Sequence, residues 1–254
     1  MIVCLTHDAD SVWRASLHVL RRRDRFTSLD ILRHMLGIDN LYNNIPLIMD
    51  LEEKHGVRST WFFPAFLFPL EQIEDELRDL VKGSWEVGLH AVAEAVQGRG
   101  LLRMQVEYFR EFLGLAPEGV RFHGLVYRTD LLGQLASMGF VYDSSARVEE
   151  VGFEHFQVMP GIVELPLYLM DADVFGKLKL SEGKAWKYIT WKLERAEKLG
   201  TEFVVVLFHQ ESFRMRGGRL YSRLVEWVLE RGWEALTCLE AVKRLSRENE
   251  GRAQ

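Results

Sequence analysis

The sequence predicts an α/β protein built on a mostly parallel sheet, either open or closed as a barrel. Short apolar stretches alternate with amphipathic stretches of helical period along most of the 254 residues. Polar residues directly follow several apolar stretches, and parallel strands bring such residues to one edge of a sheet. The composition, 48% apolar and 27% charged, is that of a globular protein with a sizeable core.

About eight apolar stretches have the length and the bounding residues of strands. They are residues 2–5, 57–63, 85–90, 120–123, 140–143, 162–167, 203–208 and 233–236. Capping residues and helical periodicity predict helices between them. These cover residues 11–25, 31–36, 47–55, 70–82, 101–113, 129–138, 182–199 and 220–230, with a last helix from 238. We expect one domain over residues 1–245, with 11–42 as a helical insertion or lid and 246–254 as a polar, frayed tail.

Charge and residue usage exclude several classes of protein. The net charge of -5 argues against nucleic acid as the main partner, and the basic run Arg21–Arg23, followed by Asp24, is interpreted as a solvated helix end. No apolar stretch approaches the length of a membrane span, and no signal-peptide pattern precedes the first strand, so we expect a cytoplasmic protein without membrane contact. Cys4 and Cys238 are expected to be buried, reduced thiols. The sequence does not indicate an oligomeric state.

Two carboxylates follow the first predicted strand. If the chain is still extended there, Asp8 and Asp10 lie on the same side and point into one space. Two nearby carboxylates repel each other, so they need a metal, a proton or an arginine between them. The alternative is an N-cap or Asx-turn that closes the strand.

Further polar residues follow the other strands. His90 and Glu94 are four residues apart and could share a helical face, and Arg121 and His123 share a side if extended. Taken singly, each has a structural explanation, such as a packed histidine, a surface glutamate or a buried ion pair. Together with Asp10, His90 and Glu94 predict a three-ligand metal site. His209, at the end of a fully apolar strand, is placed for acid–base chemistry.

Five segments resemble, in order and spacing, the motifs of one known family. They are Thr6-His7-Asp8-Ala9-Asp10, Gly88-Leu89-His90-Ala91-Val92-Ala93-Glu94, Arg121-Phe122-His123, Gly139-Phe140-Val141-Tyr142-Asp143-Ser144-Ser145 and Leu207-Phe208-His209. The chain is similar here to the polysaccharide deacetylases with the NodB homology domain, carbohydrate esterase family 4. The resemblance covers about residues 1–240.

The resemblance implies a NodB-like, distorted β/α barrel of seven or eight mostly parallel strands. It also implies metal-dependent removal of an acetyl group from an N-acetylated carbohydrate. The implied roles are a general base (Asp8), a residue that holds it (Arg121), a general acid (His209), two metal ligands (Asp10 and His90), an acetyl-pocket residue (Leu207) and an oxyanion N–H (Gly124).

Three departures from the family's motifs bear on the metal site and its neighbourhood. Glu94 stands in place of the second metal-binding histidine, His123 in place of proline, and Gly124 where tyrosine is frequent. We expect Glu94 to be the third ligand, because it keeps the four-residue spacing, with His123 as the alternative. The expected cofactor is a divalent metal, with zinc first and manganese or iron as alternatives.

Two other functions remain open at this point. One is a metal-dependent amidohydrolase acting on a small cytoplasmic amide rather than on a carbohydrate. The other is a non-catalytic carbohydrate-binding barrel that has lost its metal. For the enzymes, Asp171 or Asp173 is a candidate for orienting His209.

Overall fold

The computed structural model describes residues 1–92, 99–151, 157–159 and 161–252. The strands of these residues form one ten-stranded sheet. They are β1 (Ile2–Asp8), β2 (Thr60–Pro64), β3 (Glu86–Ala91), β4 (Gly119–Phe122), β5 (Tyr142–Asp143), β6 (Gln157–Met159), β7 (Ile162–Glu164), β8 (Leu167–Met170), β9 (Phe203–Leu207) and β10 (Glu234–Leu236).

The sheet curls into a distorted β/α barrel, as predicted. Its order is β6-β7-β5-β4-β3-β2-β1-β9-β8, and β10 pairs with the start of β1. Only the β6–β7 pairing is antiparallel among these strands. Beyond β5, Arg147 forms a parallel bridge with Leu167 of β8, and the Leu167 N–H donates to the Ala146 carbonyl at 2.7 Å. This narrow link joins β8 to the far side of the sheet.

Helices cover the outside of the sheet. They are α1 (Ser16–Arg21), α2 (Ser28–Met35), α3 (Ile45–Lys54), α4 (Glu74–Lys82), α5 (Arg99–Leu113), α6 (Leu132–Ser137), α7 (Val148–Val151), α8 (Glu182–Lys198), α9 (Arg219–Glu230) and α10 (Cys238–Arg252). A π-helical turn, Ala172–Lys177, follows β8. Within the described chain, no helix is long and apolar enough to cross a membrane.

Alternate residues of β1 pack on opposite faces of the sheet. Ile2 and Cys4 belong to the core inside the barrel, whereas Val3 and Leu5 belong to the larger core beneath the helices. The same alternation continues along the strand. It directs Asp8 to the mouth of the barrel and His7 outward, toward the helices.

Two sequence predictions of local structure are corrected. The single strand predicted over residues 162–167 is wrong, because β7 pairs with β5 and β8 pairs with β9. Pro166 lies between these strands and has no N–H to donate to a ladder. The tail predicted as frayed from residue 246 is the last part of α10, which continues to Arg252. Cys4 and Cys238 are buried free thiols, as expected.

Candidate active site

A pocket of about 160 Å³ opens at the carboxyl ends of the central strands. Seven of the predicted site residues line it: Asp8, Asp10, His90, His123, Gly124, Leu207 and His209. They come from four separate parts of the chain, and strand order brings them together. Leu125, Arg147, Met170 and Ala172 complete the lining.

Asp8 is held by a fully buried arginine. Arg121 Nη1 donates to Asp8 Oδ1 at 2.8 Å and to Thr6 Oγ1 at 2.9 Å. The rest of the guanidinium is fixed by Ser144, because Nε donates to its carbonyl at 2.9 Å and Nη2 to its hydroxyl at 2.8 Å. The Phe62 ring lies 4.4 Å from the guanidinium carbon. With one oxygen tied in this way, the orientation of the Asp8 carboxylate is set.

Asp10 gathers two imidazoles. Its Oδ1 lies 3.1 Å from His90 Nε2 and 3.1 Å from His123 Nδ1, and these two nitrogens are 3.4 Å apart. Burial opposes ionisation of Asp10, but the hydrogen bonds from His123 and His90 outweigh it and hold the Asp10 pKa far below its ordinary value. The hydrogen bond to Asp10 in turn raises the pKa of His123.

The three residues fit a divalent metal ion. One donor atom from each of Asp10, His90 and His123 lies within 4.8 Å of the others. His90 Nδ1 is 3.0 Å from the Arg121 carbonyl oxygen, which can only accept, so Nδ1 carries a proton and Nε2 is the nitrogen that would give up its proton to bind a metal. Backbone carbonyls commonly orient metal-binding histidines in this way. Two imidazoles and one carboxylate are a ligand set of catalytic zinc sites.

His209 is paired with Asp171. Its Nδ1 lies 2.6 Å from Asp171 Oδ1, its backbone N–H donates to Oδ2 at 3.2 Å, and its Nε2 is 3.9 Å from Asp10 Oδ2. Burial disfavours the imidazolium, but the charge and hydrogen bond of Asp171 outweigh it and raise the pKa of His209 well above its ordinary value. Of the two aspartates considered from the sequence, Asp171 makes this contact, whereas Asp173 pairs with Arg147 at 2.5 Å.

The third predicted ligand, Glu94, lies outside the described residues. Its alternative, His123, is the residue that the structure places on Asp10. His123 begins a short 3-10 turn, His123–Leu125, in which Gly124 has φ +72. That left-handed conformation favours glycine, which gives a structural reason for glycine rather than tyrosine at this position.

Comparisons with known proteins agree with this architecture. Neither a family model nor a curated protein matches the sequence. The structure is similar to that of a Mycobacterium smegmatis protein assigned to the polysaccharide deacetylases, at 20% identity and a TM-score of 0.69, covering 98% of this chain and 91% of that chain. The chain has the NodB-like fold of the polysaccharide deacetylases. This likeness establishes the fold and leaves the substrate open.

Other proteins with the NodB-like fold differ in what they do. The allantoinase PuuE matches at 15% identity and a TM-score of 0.70, covering 95% of this chain and 89% of that chain. A CE4 family pseudoenzyme from Bacillus anthracis matches at 13% identity and a TM-score of 0.57, covering 95% of this chain and 65% of that chain. Function must therefore be argued from the site residues.

One polar network behind the candidate site was not predicted from the sequence. His7 stands where the family motif has phenylalanine, and both of its ring nitrogens have partners. Nδ1 donates to the Phe208 carbonyl at 2.7 Å, and Nε2 lies 3.0 Å from Glu52 Oε1 and 3.0 Å from the Tyr221 hydroxyl. Glu52 itself is fully buried. The burial of Glu52 could have been predicted from the sequence, since Glu52 lies on the same face of α3 as the apolar residues Ile45 and Ile48.

Proposed function

We propose that this protein is a metal-dependent hydrolase that removes an acetyl group from an N-acetylated carbohydrate. The observation that carries the proposal is the convergence of three units in one small pocket. They are the Asp10–His90–His123 cluster, the Asp8–Arg121 pair and the His209–Asp171 pair. Metal-assisted amide hydrolysis needs metal ligands, an oriented carboxylate as base and an oriented imidazole as acid.

The metal ligands in this proposal are Asp10, His90 and His123. A divalent ion bound there would polarise the acyl oxygen and make bound water more acidic. Zinc suits two imidazoles and a carboxylate, and manganese or iron are the alternatives. Glu94 stays a predicted ligand that the variants below test.

The remaining residues move protons and hold the substrate. Asp8 acts as general base, because Arg121 occupies one carboxylate oxygen and leaves the other, Oδ2, 4.0 Å from His90 Nε2 at the metal cluster. His209 acts as general acid toward the leaving amine, and the negative charge of Asp171 keeps its imidazole protonated. Leu207 lines the acyl pocket, and the Gly124 N–H is the proposed oxyanion donor.

The pocket volume supports an acyl group as its occupant. Pockets that enclose a whole drug-sized ligand are typically about 300–1,000 Å³. At about 160 Å³, this one has room for the acetamide end of a substrate, and the remainder would lie outside it.

The expected cytoplasmic location, the single-domain assignment and the absence of a nucleic-acid partner stay predictions.

The alternatives make different predictions for one set of measurements. After zinc is added and unbound metal removed, the purified protein should hold about one ion per chain and release acetate from N-acetylglucosamine oligomers. Bound metal with hydrolysis of small cyclic amides such as allantoin, but not of acetylated sugars, would favour the amidohydrolase. No bound metal would favour the non-catalytic barrel.

Variants assign the roles within the site. Asp8→Asn should lower kcat by about 10²–10⁴-fold while the metal content stays near one, because a general base is lost and the ligands are kept. Asp50→Asn, an exposed aspartate on α3, is the matched control. Loss of metal in His123→Ala with retention in Glu94→Ala would support His123 as the third ligand, and the reverse result would restore Glu94. A fully active Asp8→Asn would overturn the assignment of the base.

A further inference from the structure

A second pocket, of about 240 Å³, adjoins the candidate active site. The two pockets share His209 and Ala172, so the second lies on the other side of the proposed general acid. Two arginines and one histidine of the segment between β1 and α2 line it: Arg14, Arg25 and His18. We call this second cavity the basic pocket.

The positive charge at the basic pocket is not neutralised. Most other arginines with described side-chain partners pair with a carboxylate, for example Arg33 with Asp39. Within residues 14–25, by contrast, the described chain contains no such pair for any arginine. The charges of these arginines act on His18. Desolvation and the positive charges of Arg14, Arg22 and Arg25 together lower the pKa of His18.

A carboxyl group also borders the basic pocket. Burial raises the pKa of Glu211 to about 8, so this side chain is largely uncharged at pH 7 and does not cancel the arginines. In a chain with a net charge of -5, the basic pocket is therefore a local positive region. Charge focused in a cleft raises the local concentration of an anion.

We propose that the basic pocket binds an anionic group, a carboxylate or a phosphate, carried by the substrate itself. This inference rests on the proposed function. A general acid faces the leaving nitrogen, so a group bound beyond His209 belongs to the amine part of the substrate and not to its acyl part. The substrate class is then an N-acetylated amino sugar that bears an anionic substituent. Arg14 and Arg25 are its specificity-determining residues, because guanidinium groups match the planar geometry of these anions.

The test compares N-acetylated sugars that differ in charge. For the zinc-loaded protein, kcat/KM is measured with N-acetylglucosamine, N-acetylglucosamine 6-phosphate and N-acetylmuramic acid. The wild type should prefer at least one anionic sugar by about tenfold or more, which is the size of effect expected for one charge-assisted hydrogen bond. The preference should fall as salt is added. A preference for the 6-phosphate would show that the basic pocket binds a phosphate, and a preference for N-acetylmuramic acid would show that it binds a carboxylate.

The double variant Arg14→Gln/Arg25→Gln should abolish this preference, mainly through a higher KM for the anionic sugar. Arg103→Gln/Arg110→Gln changes the net charge equally on the exposed side of α5 and should keep the preference. Turnover of all three sugars without a preference would overturn the inference and leave the proposed function standing.

If none of these three sugars is turned over, the oligomer assay above decides the proposed function, and a second measurement decides the basic pocket. Inorganic phosphate is titrated calorimetrically into both double variants. Weaker binding by Arg14→Gln/Arg25→Gln than by Arg103→Gln/Arg110→Gln would support an anion site, and equal binding would overturn it.

Discussion

Replacement of Glu52 by glutamine tests the buried network behind the site most directly. The Glu52 carboxylate accepts hydrogen bonds from the Ser59 hydroxyl at 2.7 Å, from Trp85 Nε1 at 2.6 Å and from the Tyr221 hydroxyl. It also lies 3.0 Å from His7 Nε2, and both side chains of this pair are 0% exposed. Since His7 Nδ1 already donates to a carbonyl, donation from Nε2 as well requires the imidazolium form.

The glutamine amide cannot replace all four contacts. If its NH₂ group faces Trp85, two donors oppose each other. If the amide is flipped, the NH₂ group faces His7 and Tyr221 instead. Either way His7 loses its negative partner at a position that is fully buried. Breaking a buried ion pair on one side typically costs about 3–5 kcal/mol. For a chain of this size that corresponds to a fall in Tm of roughly 6–20 °C.

The assay is urea unfolding followed by circular dichroism, with the midpoint and m value compared between variants. Glu53→Gln is the matched control, because Glu53 is the adjacent residue and its side chain is 68% exposed. Its contact with Arg58 is long, at 3.4 Å. The control should stay within about 0.5 kcal/mol of wild type. A loss below about 1 kcal/mol for Glu52→Gln would refute the reasoning. In a double-mutant cycle, His7→Phe/Glu52→Leu should cost less than the sum of the two single changes, because removing both charges leaves neither unpaired.

Two further predictions concern titration. Asp171→Asn should lower the pKa of His209, whose raised value depends on the Asp171 charge, so the basic limb of the kcat/KM profile should move to lower pH; an unmoved limb would exclude His209 as the acid that titrates. Asp143 is fully buried and its pKa is raised by burial to about 7, from 3.8. The folded state thus keeps a proton that the unfolded state releases, so the contribution is complete below about pH 4 and is lost as pH rises through about 7. Asp143→Asn cannot titrate, and between pH 5 and pH 8 its urea midpoint should fall less than that of wild type; an equal fall would contradict the prediction.

Strand positions could be predicted closely where apolar runs are bounded by polar residues. The predicted strand at 203–208 is β9 (Phe203–Leu207), and the start of the chain is β1 (Ile2–Asp8). Both are buried along their whole length; burial on both faces leaves a continuous apolar run in β9, whereas β1 ends in the polar residues Thr6, His7 and Asp8. The stretch 162–167 is also mostly apolar, but it is interrupted by Pro166, and its two halves pair with different strands. The proline marks the break in the sequence, whereas composition does not encode which strand each half pairs with.

The candidate site was predictable as a set of residues but not as a set of contacts. Asp8, His90, Arg121 and His209 were identified because each lies at a strand end, where parallel sheets collect functional groups. The partner of each was less accessible. Glu52 contacts His7 across 45 positions, and neither residue belongs to a recognisable motif together with the other.

The two carboxylates at the end of β1 show which features the sequence determines and which depend on the tertiary structure. The sequence alone determined that Asp8 and Asp10 reach the mouth of a parallel sheet, since periodicity and burial are properties of neighbouring residues. The motif resemblance implied different roles for the two, and only the tertiary structure supplied their contacts, Arg121 with Asp8 and both His90 and His123 with Asp10. Asp10 is 80 positions from His90 and 113 from His123. Contacts over such distances depend on strand order, register and the turn at Gly124, which local periodicity does not specify.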